Sequence, residues 1–463
     1  MVRIIMKLKS KIQLTFIISI LLFTIVGCRC TLLPSAEEKQ KLQPISLRYW
    51  RVWDSPSNFS GILSAYSAVH PNISISMQIL RYEEFERKLL EAYADQKPPD
   101  IISFHYAWLP KYVDKKYITP LPSKISMAFQ YKQTTMGIKE ETIIELKNTP
   151  IPTLTQLKND FIETVSNDVV IDNKIYGLPL SLDTMVLYYN RDLLDKARIP
   201  VPPTNWEEFQ TAVKKITALN EKGGIEIAGA ALGSADNILR SPDILMLLMK
   251  QSGASIIQNG SVQFTSSKRA GYNPGLVALQ FYTDFSNPQK EVYSWNNEMP
   301  DSLRAFADKK LAFYFGYSYD LPSIISFSRN TLNLGITKMP QLQQGEPEAN
   351  IANYWVETVS SRSKHINEAW DFILFETSKK QVESYLTSAK KPTALRALVD
   401  TQLKDEKMNI FASQLLTSQS WYRGKDINAA EEIIKDMINN VNAGQDPAQS
   451  LNMAAQRIQQ TIN

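Results

Sequence analysis

The sequence is poor in cysteine, histidine and glycine. Of its 463 residues, two are cysteine, three are histidine and 17 are glycine. Both cysteines, Cys28 and Cys30, lie in one stretch, FTIVGCRC at 23–30, and none follows. Whatever folds beyond that point cannot rely on disulfides and must hold together by its core. The three histidines, His70, His105 and His365, are too scattered for an HExxH pair, and the G-x-S-x-G, P-loop and G-x-G-x-x-G patterns are missing. No metal and no cofactor is expected. An excess of one charge is absent too. The 51 basic and 47 acidic residues leave a net +4, and Arg3, Lys7, Lys9 and Lys11 account for four basic residues near the start. That balance excludes the dense basic face that nucleic acid requires. The apolar run Leu14–Val26 is shorter than the ~20 residues of a membrane span.

What is present starts with that run. A basic start, an apolar core and a small residue at its end form the layout of a secretory signal. The exit, Ile25-Val26-Gly27-Cys28, resembles the bacterial lipobox. The resemblance implies a signal peptide over 1–27, lipidation of Cys28 and a lipid-anchored tether over 28–44. The protein is then expected to be exported and anchored to the outer face of the cytoplasmic membrane, in the cell envelope. The alternative is an uncleaved anchor helix with two incidental cysteines. A Cys28–Cys30 bridge would be strained by its short spacing, and Cys30 has no assigned role.

Hydrophobic content of 44% and charged content of 21% are ordinary for a globular chain, and the length is enough for two or three domains. Ile45, Leu47 and Tyr49 alternate with polar residues at strand period. Phe59, Ile62, Leu63, Tyr66 and Val69 keep helical spacing, NISISMQIL alternates again, Tyr82–Ala94 is helical, and PPDIISF ends in a buried strand. This β-α-β-α-β order predicts a parallel sheet. Residues 123–158 are expected to be an irregular helical stretch. Thr204 with Glu207 forms a capping box for the next helix, an apolar helix is expected over 241–256, and two terminal helices over 426–440 and 447–462.

Three blocks, YGLPLSLDTMVLYYNRDLLDKARIPVPPTNWEEF, KKLAFYFGYSYDLPSI and NYWVETVSSRSKHINEAWDFILF, together resemble the extracellular solute-binding proteins of the maltodextrin-binding type, the substrate receptors of ABC importers. The resemblance implies an α/β, two-lobe periplasmic-binding-protein fold. Each lobe would be a mostly parallel sheet flanked by helices, with three crossovers near Ser181–Thr184, Phe315–Ser318 and Lys390–Thr393. The first lobe would comprise 45–181 with 317–391, the second 182–316 with 392–463, and 123–160 would be an insertion. It implies a monomer, not an enzyme, that closes by a hinge around a small-molecule ligand, a carbohydrate, and docks on ABC permease subunits. Two other readings stay open on the sequence: a lipid-anchored glycoside hydrolase or lyase, and a sensory or adhesive binding protein.

Cleft candidates follow from position. Trp53 and Asp54 end the first strand, and His105, Tyr106 and Trp108 follow the third, where open α/β sheets place ligands. Asp183 and Thr184 lie in the first crossover, and Tyr317, Tyr319 and Asp320 in a Gly-aromatic turn. Asn353, Tyr354 and Trp355 sit at a strand the resemblance brings to the cleft, and Trp421 precedes the terminal helices. The plainer readings are a core Trp53 beside a capping Asp54, Trp108 packed under its loop, and Asp183 with Thr184 as a hinge cap. Trp50, Trp206 and Trp370 are expected to be packing, and Trp295 either. Aromatic faces with sparse polar groups suit an uncharged polyol or oligosaccharide.

Overall fold

The computed structural model describes residues 42–135, 139–267, 271–342 and 348–462. Cys28, Cys30, the signal peptide and most of the tether lie outside them. Among the described residues no helix is long and apolar enough to cross a membrane.

The predicted alternation holds at the start. Strand β1, Ile45–Val52, buries Ile45, Leu47, Tyr49 and Val52. It pairs in parallel with β2, Ile73–Leu80, and with β3, Ile101–His105. Helices α1, Ser60–Val69, and α2, Tyr82–Ala94, form the connections. The strand Trp355–Ser360 runs antiparallel to β3, with Trp355 opposite His105, and the short strand Ile118–Thr119 closes this five-stranded sheet.

A second five-stranded sheet follows the order 218–219, 225–230, 311–316, 186–190, 334–337. Val186–Asn190 and Leu311–Gly316 are buried throughout, as expected of central strands covered on both faces. The mostly parallel character expected of each lobe holds for the first three strands of the first sheet. In the second sheet only the pair 225–230 with 311–316 is parallel.

Three short strands join a separate sheet: Asp183–Thr184, Asn350–Asn353 and Ser418–Gln419. The first lies within the stretch 181–184. The second crossover is displaced from Phe315–Ser318. Leu334–Thr337 still pairs with Val186–Asn190 in the second sheet, so the chain leaves that sheet only at Asn350–Asn353. Thr393 forms a single bridge with Ser181.

Residues 126–135 and 139–148 are not helical. Ser126–Thr135 and Lys139–Asn148 form an antiparallel hairpin, in a compact unit apart from 45–125 with 149–463. The expectation over 123–158 is an irregular helical pattern. Phe129, Tyr131 and the β-branched Thr142, Ile143 and Ile144 favour strand and prevail. A helix Leu154–Asp160 follows. Two smaller corrections concern helix ends. The cap of Trp206–Ile216 is Asn205, which accepts from Glu208 N at 2.9 Å, and Thr204 Oγ1 donates to the Glu208 carboxylate at 2.9 Å. The apolar helix stops at Gln251. The terminal helices, Ile427–Asn442 and Pro447–Ile462, match closely, with Asp446 accepting from Gln449 N at 2.8 Å. Trp206, Trp295 and Trp370 are all buried.

Among the described residues, a buried carboxyl stands unpaired at Glu376. Glu376 ends the helix Ile366–Glu376, is fully buried, and neither carboxyl oxygen has a hydrogen-bond partner. Burial, helped by Glu357, pushes its carboxyl well above the usual range against the pull of Arg51. The fold therefore prefers the protonated form. That contribution is complete below the unfolded value of 4.5 and is lost as pH rises toward the folded one. Glu376→Gln, which carries no charge, is expected to raise the unfolding midpoint at pH 8 by about 2 °C or more. The gain should shrink at pH 5. Thermal denaturation at both values checks this, and a lower midpoint for the variant at pH 8 would contradict it.

Candidate functional site

The ends of β1, β3 and Trp355–Ser360 meet the turns of the second sheet around a cleft of about 1690 Å³. Its first wall is aromatic. Trp53 stacks on Tyr82 at 6.1 Å between centroids and 15° between planes. Tyr82 stacks in turn on Trp108 at 6.1 Å and 29°. Trp355 stands edge-on to Tyr82 at 6.2 Å and to Trp108 at 6.2 Å. Trp53 is the open end of this ladder, with 55% of its surface exposed. A large exposed ring at the lip of a concave site, where burying it would have been favourable, marks a surface kept free for a ligand.

The backbone that presents Trp53 is strained. Trp53 and Asp54 take φ of 61° and 64°, a region in which non-glycine residues are uncommon and which clusters at functional sites. What holds them is a charge network. Asp54 accepts from Lys391 Nζ at 2.6 Å, Arg51 Nη2 at 2.9 Å and Tyr385 OH at 3.0 Å. Arg51 also donates to Glu357 at 2.7 Å, and Glu357 accepts from Ser103 at 3.1 Å and from Tyr49. Burial pushes the Asp54 carboxyl up, but Lys391 and Arg51 outweigh it and hold the group below its usual range. With three donors engaged, Asp54 acts here as the support of the turn.

The opposite wall is built by Leu239, Arg240 and the Gly-aromatic turn. Gly316 is required there, because a β-carbon would run into Asp320 and Tyr314. Tyr319 is 39% exposed and stacks on buried Tyr317 at 5.4 Å and 21°. Asp320 accepts from Tyr317 N at 2.9 Å. Asp183 is paired with Asn353 in the small crossover sheet and accepts from Ser318 N at 2.8 Å and Ser318 Oγ at 2.6 Å. Burial pushes Asp183 up to about 7 despite these bonds. His105 goes the other way. Burial, with Arg240 nearby, brings it down to about 3 against a bond to Asn353, so it is a neutral imidazole at physiological pH.

Ten of the expected site residues line the cleft: Trp53, Asp54, His105, Trp108, Asp183, Tyr319, Asp320, Asn353, Tyr354 and Trp355. Four do not. Tyr106 is buried against Tyr354, 4.8 Å away with an 11° tilt. Thr184 donates to Phe411 O at 3.1 Å inside the protein. Tyr317 and Trp421 are both buried and donate to Asp243, at 3.0 and 2.7 Å. Position alone missed Tyr82, Arg240 and Glu431, which also line the cleft. Tyr82 carried a signal, being the first aromatic after β2, in the same strand-end position as Trp53. Arg240 and Glu431 lie in stretches with no motif.

A family model described as bacterial extracellular solute-binding protein matches residues 62–409. A galactooligosaccharide-binding protein of Bacillus subtilis (strain 168) is 24% identical over 303 residues, 62% of this chain and 66% of that one. A multiple sugar-binding protein of Streptococcus mutans is 24% identical over 53% of this chain and 56% of its own length. The chain matches 35% of the length of relatives from Brucella abortus. Among solved structures, a cyclic alpha-maltosyl-1,6-maltose binding protein from Arthrobacter globiformis superposes with a TM-score of 0.69. It is 18% identical, with 90% of this chain and 99% of that one covered, and shares the two-lobe fold.

The charge network gives a direct test. Asp54→Asn leaves Arg51 and Lys391 short of a counter-charge and should cost about 3 kcal/mol of stability at pH 7. The native carboxylate is favoured above the unfolded value of 3.8 and loses its advantage as pH falls through its lower folded value. The gap between wild type and variant is therefore expected to close below about pH 4, as read by urea denaturation. An unchanged urea midpoint at pH 7 would remove the network's supporting role.

Proposed function

The chain belongs to the bacterial extracellular solute-binding protein family, and from that premise we propose that it is the substrate receptor of an ABC importer with a carbohydrate as cargo. It is a binding protein and not an enzyme, as the family implies. The observation that carries the cargo class is the ring ladder of Trp53, Tyr82 and Trp108, exposed at Trp53 and Tyr82, in a cleft that Tyr319 also lines. An aromatic face covers the C–H face of a sugar ring, and each hydroxyl that loses water needs a polar partner. Asn353, His105 and Tyr319 can supply such partners. The names of the Bacillus and Streptococcus relatives point the same way.

In this reading residues 45–125 and 149–182 with 354–391 form most of one lobe, and the second sheet with the two terminal helices forms most of the other. The crossover sheet is the hinge. Ligand touching both walls has its higher affinity for the closed state and shifts the population toward it. The closed form is what a permease would recognise. The protein works as a monomer, held to the outer face of the membrane by lipid on Cys28 after removal of 1–27, with 28–44 as its tether.

A screen of oligosaccharides and polyols by thermal denaturation should find at least one that raises the midpoint in proportion to the logarithm of its concentration, and that is recovered uncleaved. Trp53→Ala should then weaken its binding by roughly ten- to thirtyfold while leaving the ligand-free midpoint in place, since the ring is largely exposed. A screen with no response, or an affinity indifferent to Trp53, would count against a sugar cleft.

A further inference from the structure

Most charges along the cleft are spoken for. Arg51 spends its donors on Asp54, Glu357 and Tyr49. Lys391 is committed to Asp54. Arg240 differs. Among the described residues its guanidinium makes no hydrogen bond, and its Nε is buried without a partner. Its ion pair with Asp243 is long, 3.9 Å, and that carboxylate already accepts from Tyr317 and Trp421. What positions the group is ring faces: its Cζ lies 5.8 Å from the centroids of both Tyr317 and Tyr319. The side chain is 28% exposed, toward the cleft it lines.

Beyond Asp243, the acids near it are pushed toward their neutral forms. Burial and Asp243 push Glu431, on the helix Ile427–Asn442, up to about 7 against Arg240 and Lys435. Asp320, in the Gly-aromatic turn, is pushed up by burial against the bond from Tyr317 N and the charge of Arg240. From the first wall, β3 contributes His105, which is neutral, and α2 contributes Tyr82 with the exposed Glu83. Lys435, on the helix of Glu431, adds a positive charge, paired with Glu432 at 2.7 Å.

We propose that Arg240 is the specificity-determining anchor of this cleft and that the cargo is an acidic oligosaccharide, whose uronate carboxylate docks on the guanidinium while its ring lies on the aromatic wall. The two ends of such a ligand match the two features that the protein leaves unsatisfied. A guanidinium fork fits a carboxylate through paired hydrogen bonds, stronger than those to a neutral hydroxyl. A neutral sugar would offer this guanidinium only single hydroxyl acceptors and no counter-charge. This inference rests on the carbohydrate reading and narrows it.

The test compares di- and trisaccharides of glucuronate, galacturonate and mannuronate with the corresponding neutral sugars by titration calorimetry at pH 6.5. At least one acidic sugar is expected to bind about tenfold or more tightly than its neutral partner, about 1.4 kcal/mol. Arg240→Gln should erase that preference, and Arg240→Lys, which keeps the charge without the fork, should reduce it. If Arg240→Gln fails to fold, the lysine variant carries the test. Neutral sugars binding as tightly as acidic ones, or a preference that survives both variants, would overturn the anchor and leave the receptor standing. Binding of neither class would overturn both.

Discussion

The crossover sheet is the constraint on which the rest depends. A chain that builds two sheets from interleaved segments must pass between them, and the peptide groups in each passage need partners. Here they satisfy one another: Asn353 faces Asp183, and Asn350 faces Ser418. Asp183 does more than pair. Its carboxyl takes two bonds from Ser318 and so fixes the Gly-aromatic turn against the crossover. Tyr319 is therefore presented to the cleft from the same strand pairing that fixes Trp355, two residues beyond Asn353. Both walls are thus tied to the small sheet by short hydrogen-bonded links.

Burial at the hinge has an electrostatic cost that the site turns to use. Asp183, Asp320 and Glu431 are all displaced toward their neutral forms, and His105 is displaced away from its charged one. Burial is the first cause in all four. An arginine cannot answer burial by shedding its proton, so Arg240 keeps its charge while Glu431 and Asp320 near it are pushed toward their neutral forms. The asymmetry follows from intrinsic proton affinities. It gives the second wall a polarity that counting acidic and basic residues along the lining would miss.

The first sheet was legible because its signal is local. Period-two runs between helical stretches dictate β1, β2 and β3, and the terminal helices carry their own caps. The hairpin at 126–148 was not, since its polar residues favour helix individually and only cross-strand pairing overrides them. The displaced crossover has a similar cause. Leu334–Thr337 is four residues long, and its partner lies well over a hundred residues earlier, so nothing near it in sequence announces that the chain has stayed in the second sheet. The site residues separate on another point. Sequence position located the strand ends and turns correctly, but adjacent side chains there point in opposite directions. Trp108 turned to the cleft and Tyr106 to the interior; Tyr319 turned out and Tyr317 in. Choosing between neighbours requires the register, which single residues do not carry.

Trp53 shows how the two halves of the first wall are coupled. An exposed indole on an ordinary strand end would be free to fold back onto apolar neighbours. Here two consecutive left-handed residues turn the chain sharply, and such a turn persists only if something over-determines it. Asp54 supplies that, since its carboxylate is gripped by a residue of its own strand, Arg51, and by Tyr385 and Lys391 from the segment leading to Thr393. The charge network and the ring ladder thus form one device: the ions hold the backbone, and the backbone holds the ring. Because Lys391 is two residues from the bridge between Thr393 and Ser181, the same grip reaches the point where the chain changes sheets. One buried carboxylate therefore ties the turn that carries Trp53 to the segment leading into the Thr393–Ser181 bridge.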